Sequence, residues 1–337
     1  MSNLIKSSDL AFIASDKILE LIIFPTEKCN LRCNYCYEKF ELGRMPPAII
    51  KGVKSLIEKR MTSLEHLSIS WFGGEPLVAK DIIYEISSFS SNLSLTHNVS
   101  FNSSITTNGY LLDIDTVKKF ASNGIRAYQI TLDGDKDYHD SIRKFHNGKG
   151  TFDVIWKNLC DIRDSELNLH IVLRLHYSPA NFGKYPDFIR KLENEFGDDE
   201  RFVFDYQAVQ KWGGKYDDSL STYKFDDREL IKTLLSSKSA KYNLRKPKHQ
   251  ICYAARANSF IIRSNGRVGK CTVSLYDDRN DVGTITEKGE LIIEQSKIIP
   301  WIRGLKSMNP NDLACPMSGM DNVSIQKKDI IYKSRNL

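Results

Sequence analysis

The chain has 337 residues, a net charge of +6, 41% hydrophobic and 27% charged residues. Those values fit a globular chain with one large α/β domain and a smaller one. No apolar run reaches the ~18 residues of a spanning helix, residues 1–17 lack a basic-then-apolar leader, and the seven cysteines are an odd number. A cytoplasmic, reducing setting is therefore expected, in which cysteines favour metal over disulfides. The basic residues are dispersed, with one denser patch at 241–248 that reads as a solvated face. No aromatic-basic interleaving accompanies it, so neither nucleic acid nor membrane is an expected partner.

In chain order, 18–24 is a short apolar run rich in isoleucine and reads as a buried strand. The loop leaving it carries Cys29, Cys33 and Cys36. A helix follows over 46–60, with Ile49, Ile50, Val53 and Ile57 on one face. Residues 67–72 are a strand running into Gly73-Gly74-Glu75-Pro76, and 78–89 a helix. A strand over 99–105 ends in Thr106-Thr107-Asn108-Gly109. The helix 114–122 begins after Asp113, a plausible N-cap. A strand over 127–132 leads to Asp133-Gly134, and a loop bearing His139, Asp140 and Arg143 leads to a helix over 152–164. The strand 169–175 carries Arg174, with His176 just beyond it as a loop or core histidine. A helix over 184–195 and a strand over 202–209, ending near Trp212-Gly213-Gly214, complete the series. Six strand–helix units predict a parallel sheet, two units short of an eight-fold barrel, with ligands at the carboxyl ends of the strands. A charged, helical connector is expected over 224–250. Asn265-Gly266 between strand-like runs at 260–263 and 268–273 marks a hairpin. The expected division is 1–17 as an N-terminal segment, 18–223 as the barrel, 224–250 as connector and 251–337 as the second domain.

Three thiolates on one short loop suit a [4Fe–4S] cluster with one iron open. Structural zinc normally takes four protein ligands, and no fourth Cys or His stands nearby in sequence. The CxxxCxxC spacing, with Tyr35 before the last cysteine, resembles the signature of the radical S-adenosylmethionine (radical SAM) superfamily. Gly73 to Pro76 resembles its GGEP motif. The run 131–134, then His139 to Arg143 and 148–153, resembles its SPASM/Twitch-type, peptide-modifying branch. The resemblance implies a partial (β/α)6 TIM-like barrel followed by a small α+β SPASM/Twitch-like domain with a β-hairpin. It implies that Cys29, Cys33 and Cys36 hold the cluster, and that S-adenosylmethionine is cleaved there to a 5′-deoxyadenosyl radical. It assigns cofactor contacts to Tyr35, Gly73, Gly74, Glu75, Pro76 and Thr131, with Glu75 or nearby carbonyls receiving the methionine ammonium. Arg143 is expected to pair with the cofactor carboxylate, and Asn108 and Arg174 are weaker cavity candidates.

Cys252 and Cys271, bracketing Gly266, match the opening of a SPASM domain, but Cys315 is the one cysteine that follows. Two alternatives stay open there: one auxiliary cluster on Cys252, Cys271 and Cys315, or a domain with no cluster. Cys160 reads as a core thiol. The resemblance implies a peptide or protein substrate, modified by crosslinking, epimerisation or oxidation, and an electron donor such as flavodoxin or ferredoxin. Residues 1–17 are too few for a fused recognition domain, so a separate leader-recognition protein is a further expected partner. A sulfatase-maturase-like, formylglycine-forming enzyme is the alternative within the class, against which the incomplete cysteine set counts. A non-catalytic iron–sulfur regulatory protein is the alternative outside it.

Overall fold

The computed structural model describes residues 7–238 and 251–322. The basic patch at 241–248, the end of the expected connector and the tail from 323 lie outside the described residues. Six parallel strands form the centre: β1 (Ile18–Ile23), β2 (His66–Trp71), β3 (Ser100–Thr107), β4 (Ile125–Leu132), β5 (His170–Tyr177) and β6 (Phe202–Ala208). The helices in this part of the chain are α1 (Ser7–Ala14), α2 (Pro47–Met61), α3 (Lys80–His97), α4 (Ile114–Ala121), α5 (Lys136–Ile142), α6 (Phe152–Arg163), α7 (Tyr185–Phe196) and α8 (Phe225–Lys238). Beyond residue 251 come β7 (Ser259–Ile262), β8 (Arg267–Gly269), β9 (Gly283–Ile285), β10 (Leu291–Ile293), α9 (Gln295–Ile302), α10 (Gly304–Ser307) and α11 (Pro310–Ala314).

Among the described residues these strands make one sheet, ordered β10-β9-β8-β7-β1-β2-β3-β4-β5-β6. The C-terminal hairpin thus joins the central sheet, through β7 lying parallel to β1. Strand alternation separates two faces. On β5, Ile171, Leu173, Leu175 and Tyr177 are buried, while Val172, Arg174 and His176 face inward and are half-buried. The register sets Thr131 beside Arg174 and Arg174 beside Asp205. Further round, the Ser70 and Ser104 hydroxyls lie 3.0 Å apart. The inner face is therefore rich in polar groups, as the lining of a ligand cavity is. The outer face buries Leu19, Leu21, Ile23, Leu67, Ile69 and Ile171 among the helices, each worth about 1.5–3 kcal/mol on full burial.

Several expectations shift. The helix expected to end at residue 89 continues to His97, where Asn98 ends it in the left-handed conformation; within it Ser90 donates to the Ile86 carbonyl (2.8 Å). The segment bearing His139 and Asp140 is a helix, α5, not a loop. Asp135 caps it by accepting from the Tyr138 amide (3.0 Å), a contact worth about 1 kcal/mol. Arg143 is its C-cap. The 1–17 segment contains α1, whose Ile13 packs with Ala255 and Leu313. The second hairpin strand stops at Gly269 rather than 273. There Asn280 takes the amides of Lys270 and Cys271 (2.8 and 2.9 Å) and turns the chain away. The Asp113 cap is as expected, accepting from Thr116 at 2.8 Å.

Candidate metal and cofactor site

The cysteine loop leaves the carboxyl end of β1 and is held from several sides. Arg32 and Asn34 donate their amides to the Lys144 and Ile142 carbonyls (2.8 and 3.3 Å), and Leu31 bridges to Phe145. Within the loop, the Cys36 amide reaches the Cys33 carbonyl (3.1 Å), and the Leu31 amide reaches Cys29 Sγ (3.3 Å). Gly73 and Gly74 close the side toward β2. A Cβ on Gly73, whose φ is +118°, would stand 2.4 Å from the Thr26 carbonyl oxygen; one on Gly74 would stand 2.6 Å from that of Lys28. The two glycines permit a close approach to the backbone of the cysteine loop.

Glu75 is likewise engaged by the protein. Its buried carboxylate accepts from the Leu77 amide (3.0 Å), the Thr107 hydroxyl (2.7 Å) and the Asn108 amide (2.7 Å). Burial raises its pKa, against those three donors. It clasps the ends of β2 and β3 together, and Pro76 opens the turn that follows. Asn108 then reaches across to the cysteine loop, donating to Asn30 Oδ1 at 2.8 Å. The Asn30 Nδ2 group is buried without a partner.

Opposite this clasp lies a buried ionic cluster. The Tyr35 hydroxyl donates to Asp133 (2.8 and 2.9 Å), accepts from Arg143 Nη1 (2.5 Å) and stands 3.1 Å from His176 Nδ1. His176 Nδ1 is also 3.1 Å from Asp133 Oδ1. Burial alone would push the Asp133 carboxyl up, but the His176 hydrogen bond and the Arg143 charge outweigh it and hold it at about 2. Burial alone would likewise lower Arg143, yet Cys33, Tyr35 and Asp133 keep its guanidinium charged. Arg143 is 8% exposed and its Nε has no partner. Behind it, His139 Nδ1 accepts from the Asp133 amide (3.3 Å) and Nε2 faces the Thr151 hydroxyl (3.2 Å), which donates to the Arg143 carbonyl (2.6 Å). Burial lowers His139 to about 4, so the ring is neutral.

A cavity of about 180 Å³ opens beside this cluster, lined by Asn34, Tyr35, Asp133, His176, Ser178 and Val209 among others. A larger groove of about 440 Å³ runs between α2 and α3, lined by Lys51, Lys54, Glu58 and Glu85. No cysteine lines it, and its Lys54 and Glu85 pair with each other (3.0 Å). Thr131 is buried on the inner face, and Arg174 Nε stands 3.7 Å from an Asp205 oxygen without a hydrogen bond. Asp133, His176 and His139 were not singled out as site residues from sequence. Alternation along β5 puts His176 on the same face as Arg174, and that signal could have placed it.

The donor set of the loop fits an iron–sulfur cluster. Burial pushes all three thiols up, Cys36 to about 12, and Cys33 raises Cys29 and Cys36 further. Thiols crowded in this way lose their protons to a cationic centre. No group of three or more His, Cys, Asp or Glu forms a single-ion site among the described residues, and three thiolates on one loop are a donor set that would suit a cluster. The radical SAM superfamily profile matches residues 23–184. This chain carries a radical SAM domain. Members of that family are enzymes that use a [4Fe–4S] cluster and S-adenosylmethionine.

Among curated relatives, the radical SAM domain is similar to a cysteine-type anaerobic sulfatase-maturating enzyme of Clostridium novyi, 31% identical over 189 residues, which are 53% of this chain and 50% of that one. It is also similar to an Fe-coproporphyrin III synthase of Methanosarcina barkeri, at 26% identity, covering 56% of this chain and 44% of that one. The chain spans about half the length of these relatives. Among solved structures, SuiB of Streptococcus suis bound to the precursor peptide SuiA aligns with a TM-score of 0.62 at 18% identity, over 92% of this chain and 72% of that one. The maturase anSMEcpe with AdoMet and the Kp18Cys peptide aligns with a TM-score of 0.60 at 18% identity, over 86% and 82%. These likenesses give the fold: a radical SAM barrel continued by C-terminal strands.

The C-terminal cysteines come within electrostatic reach of Cys252. Burial raises the Cys252 thiol, and Cys271 and Cys315 raise it further. The Cys252 amide donates to the Leu313 carbonyl (2.9 Å), which brings in the segment before Cys315. Cys160 is half-buried on α6, its Sγ 3.8 Å from Glu195, rather than deep in the core.

Proposed function

We propose that the chain is a radical SAM enzyme acting on a peptide or protein substrate. The observation that carries this is the three-cysteine loop, seated at the carboxyl ends of parallel strands beside a buried Tyr35–Asp133–Arg143–His176 cluster and its cavity. When bound, the cluster supplies the electron that cleaves S-adenosylmethionine to a radical able to abstract hydrogen from an unactivated C–H bond, chemistry that side chains cannot supply. Cys29, Cys33 and Cys36 hold that cluster. Arg143, charged and with Nε unpartnered, meets the carboxylate of the cofactor by charge-assisted hydrogen bonds. Tyr35, Asp133 and His176 line the place for its nucleoside, with Thr131 and Arg174 on the adjoining inner face. Gly73 to Pro76, Glu75 and Asn108 hold the loop in shape, and carbonyls of that segment receive the ammonium group. The inner face shields the reaction from water. SuiB and anSMEcpe both hold peptides in their complexes, which supports a peptide substrate here. Cys252, Cys271 and Cys315 hold a second centre, and the division of the chain at 223 and 251 separates the two.

The test is anaerobic reconstitution followed by dithionite reduction with S-adenosylmethionine. Formation of 5′-deoxyadenosine is expected; its absence from protein whose loop cysteines still hold a cluster overturns the reading. A second reading, formylglycine formation, is favoured by the 31% identity with the maturase. Mass spectrometry of cysteine- and serine-containing peptides separates it from crosslinking or epimerisation.

A further inference from the structure

Three of the cysteines are each followed by a residue that hydrogen-bonds at one place. Tyr37 follows Cys36, Thr272 follows Cys271, and Tyr253 follows Cys252. The Tyr37 hydroxyl donates to the Thr272 carbonyl (3.1 Å). The Thr272 amide donates to the Tyr253 hydroxyl (2.9 Å), and the two hydroxyls of that pair lie 2.8 Å apart. Thr272 is thus a hub between two tyrosines that arrive from cysteine segments more than two hundred positions apart. The Tyr37 hydroxyl lies near enough to Cys36 and Cys271 to feel both. The contact is also braced. The Lys39 amide donates to the Tyr276 hydroxyl (2.7 Å). Arg263 grips the buried Glu27 at 2.6 and 3.0 Å and donates to the Leu275 carbonyl (3.0 Å).

We infer that Tyr37, Thr272 and Tyr253 are positioning residues that couple the two cysteine groups, so that loading of one group with iron and sulfide is felt at the other. The physical reason is the short lever between each hydroxyl contact and the neighbouring sulfur. A thiolate must be held within about half an ångström of its productive place. Each bond of the knot ends on a residue directly bonded to a ligand residue. A displacement of Cys36 therefore pulls Thr272, and with it Cys271, while Tyr253 carries the same displacement to Cys252. Partly buried bonds of this kind are stronger than exposed ones, and coupling between two sites is reciprocal. The inference rests on the proposal that both groups hold iron–sulfur centres.

The experiment uses the full chain, reconstituted anaerobically with iron and sulfide. Wild type is compared with the Tyr37→Phe/Tyr253→Phe pair, each with and without Cys33→Ala, and circular dichroism checks that every variant is folded. Iron and sulfide per chain and the EPR spectrum of the reduced protein are read. In the wild-type background, Cys33→Ala should remove more iron than the loop's own share, because the C-terminal group fills poorly once the loop is empty. In the paired-Phe background it should remove the loop's share alone, and the C-terminal signal should shift in its g values. Equal losses in both backgrounds with an unchanged C-terminal spectrum overturn the inference. A wild type that carries one centre's iron, undiminished by Cys271→Ala, overturns the second centre itself and the inference with it.

Discussion

The two cysteine groups reach their places by opposite means. Cys29, Cys33 and Cys36 sit on one loop, pinned by the glycines after β2, by Asn108 and by the strand-like contact with 142–145. Cys252, Cys271 and Cys315 come from three separate segments. Cys252 is placed by its amide bond to Leu313, and Cys271 by Asn280, which takes its amide and returns Nδ2 to its carbonyl (2.9 and 2.8 Å). Cys315 is exposed. A contiguous ligand set is fixed largely by local chain geometry; a dispersed one depends on every packing contact between its segments.

The comparison can be broken at several points. The largest effect is expected from Cys33→Ala, which should abolish 5′-deoxyadenosine formation; residual turnover with a filled cluster would remove the loop from the mechanism. Arg143→Met should weaken S-adenosylmethionine binding by at least about tenfold, since a charge-assisted hydrogen bond contributes roughly 1.5–3 kcal/mol. Equilibrium dialysis of reconstituted protein measures it, and an unchanged affinity would return Arg143 to a purely structural part.

His139 gives a pH signature on the first group's side. Burial lowers it to about 4 from an ordinary 6.5. Unfolding therefore takes up a proton between those values, and stability present above the ordinary value is lost as pH falls toward the folded one. The loss is on the order of 3 kcal/mol, at 1.36 kcal/mol per unit. Asp133 titrates lower still, at about 2, outside that window. Glu38, buried and raised to about 8, acts in the opposite sense over the same range, so the His139 part is read as a difference: between pH 7 and 5 the urea midpoint of metal-free His139→Gln should fall less, or rise more, than that of wild type. The smallest effect is expected at Cys160. Cys160→Ala should cost less than about 1 kcal/mol, as for a half-buried thiol whose polar contact is a long one to Glu195, and leave cofactor cleavage intact.

Much of the site nearest the first group was legible in order along the chain: a strand, three cysteines, a glycine pair after the next strand, a hydroxyl and an arginine further on. The roles within it were less so. Glu75 and the two glycines were expected to meet ligand; their contacts to Thr107, Asn108 and the backbone of 26–28 were not legible. A sequence shows that a carboxylate stands after two glycines; it does not show which amides arrive from β3. His176 and Asp133 escaped for the same reason, since their partnership joins β4, β5 and the cysteine loop. Helix α5 escaped because its polar residues carry no apolar period, and its cap and contacts decide it.

The sequence alone determined the six strand–helix repeats, the C-terminal hairpin and the three-thiol loop, because alternation, turn residues and ligand spacing are local properties of the chain. Tertiary structure decided that β7 joins β1 in the same sheet, that Tyr35 closes an ionic cluster with Asp133, Arg143 and His176, and that Cys271 lies within reach of Tyr37. Each of these joins segments far apart in sequence, where pairing is set by which buried polar groups must find partners once the sheet has formed.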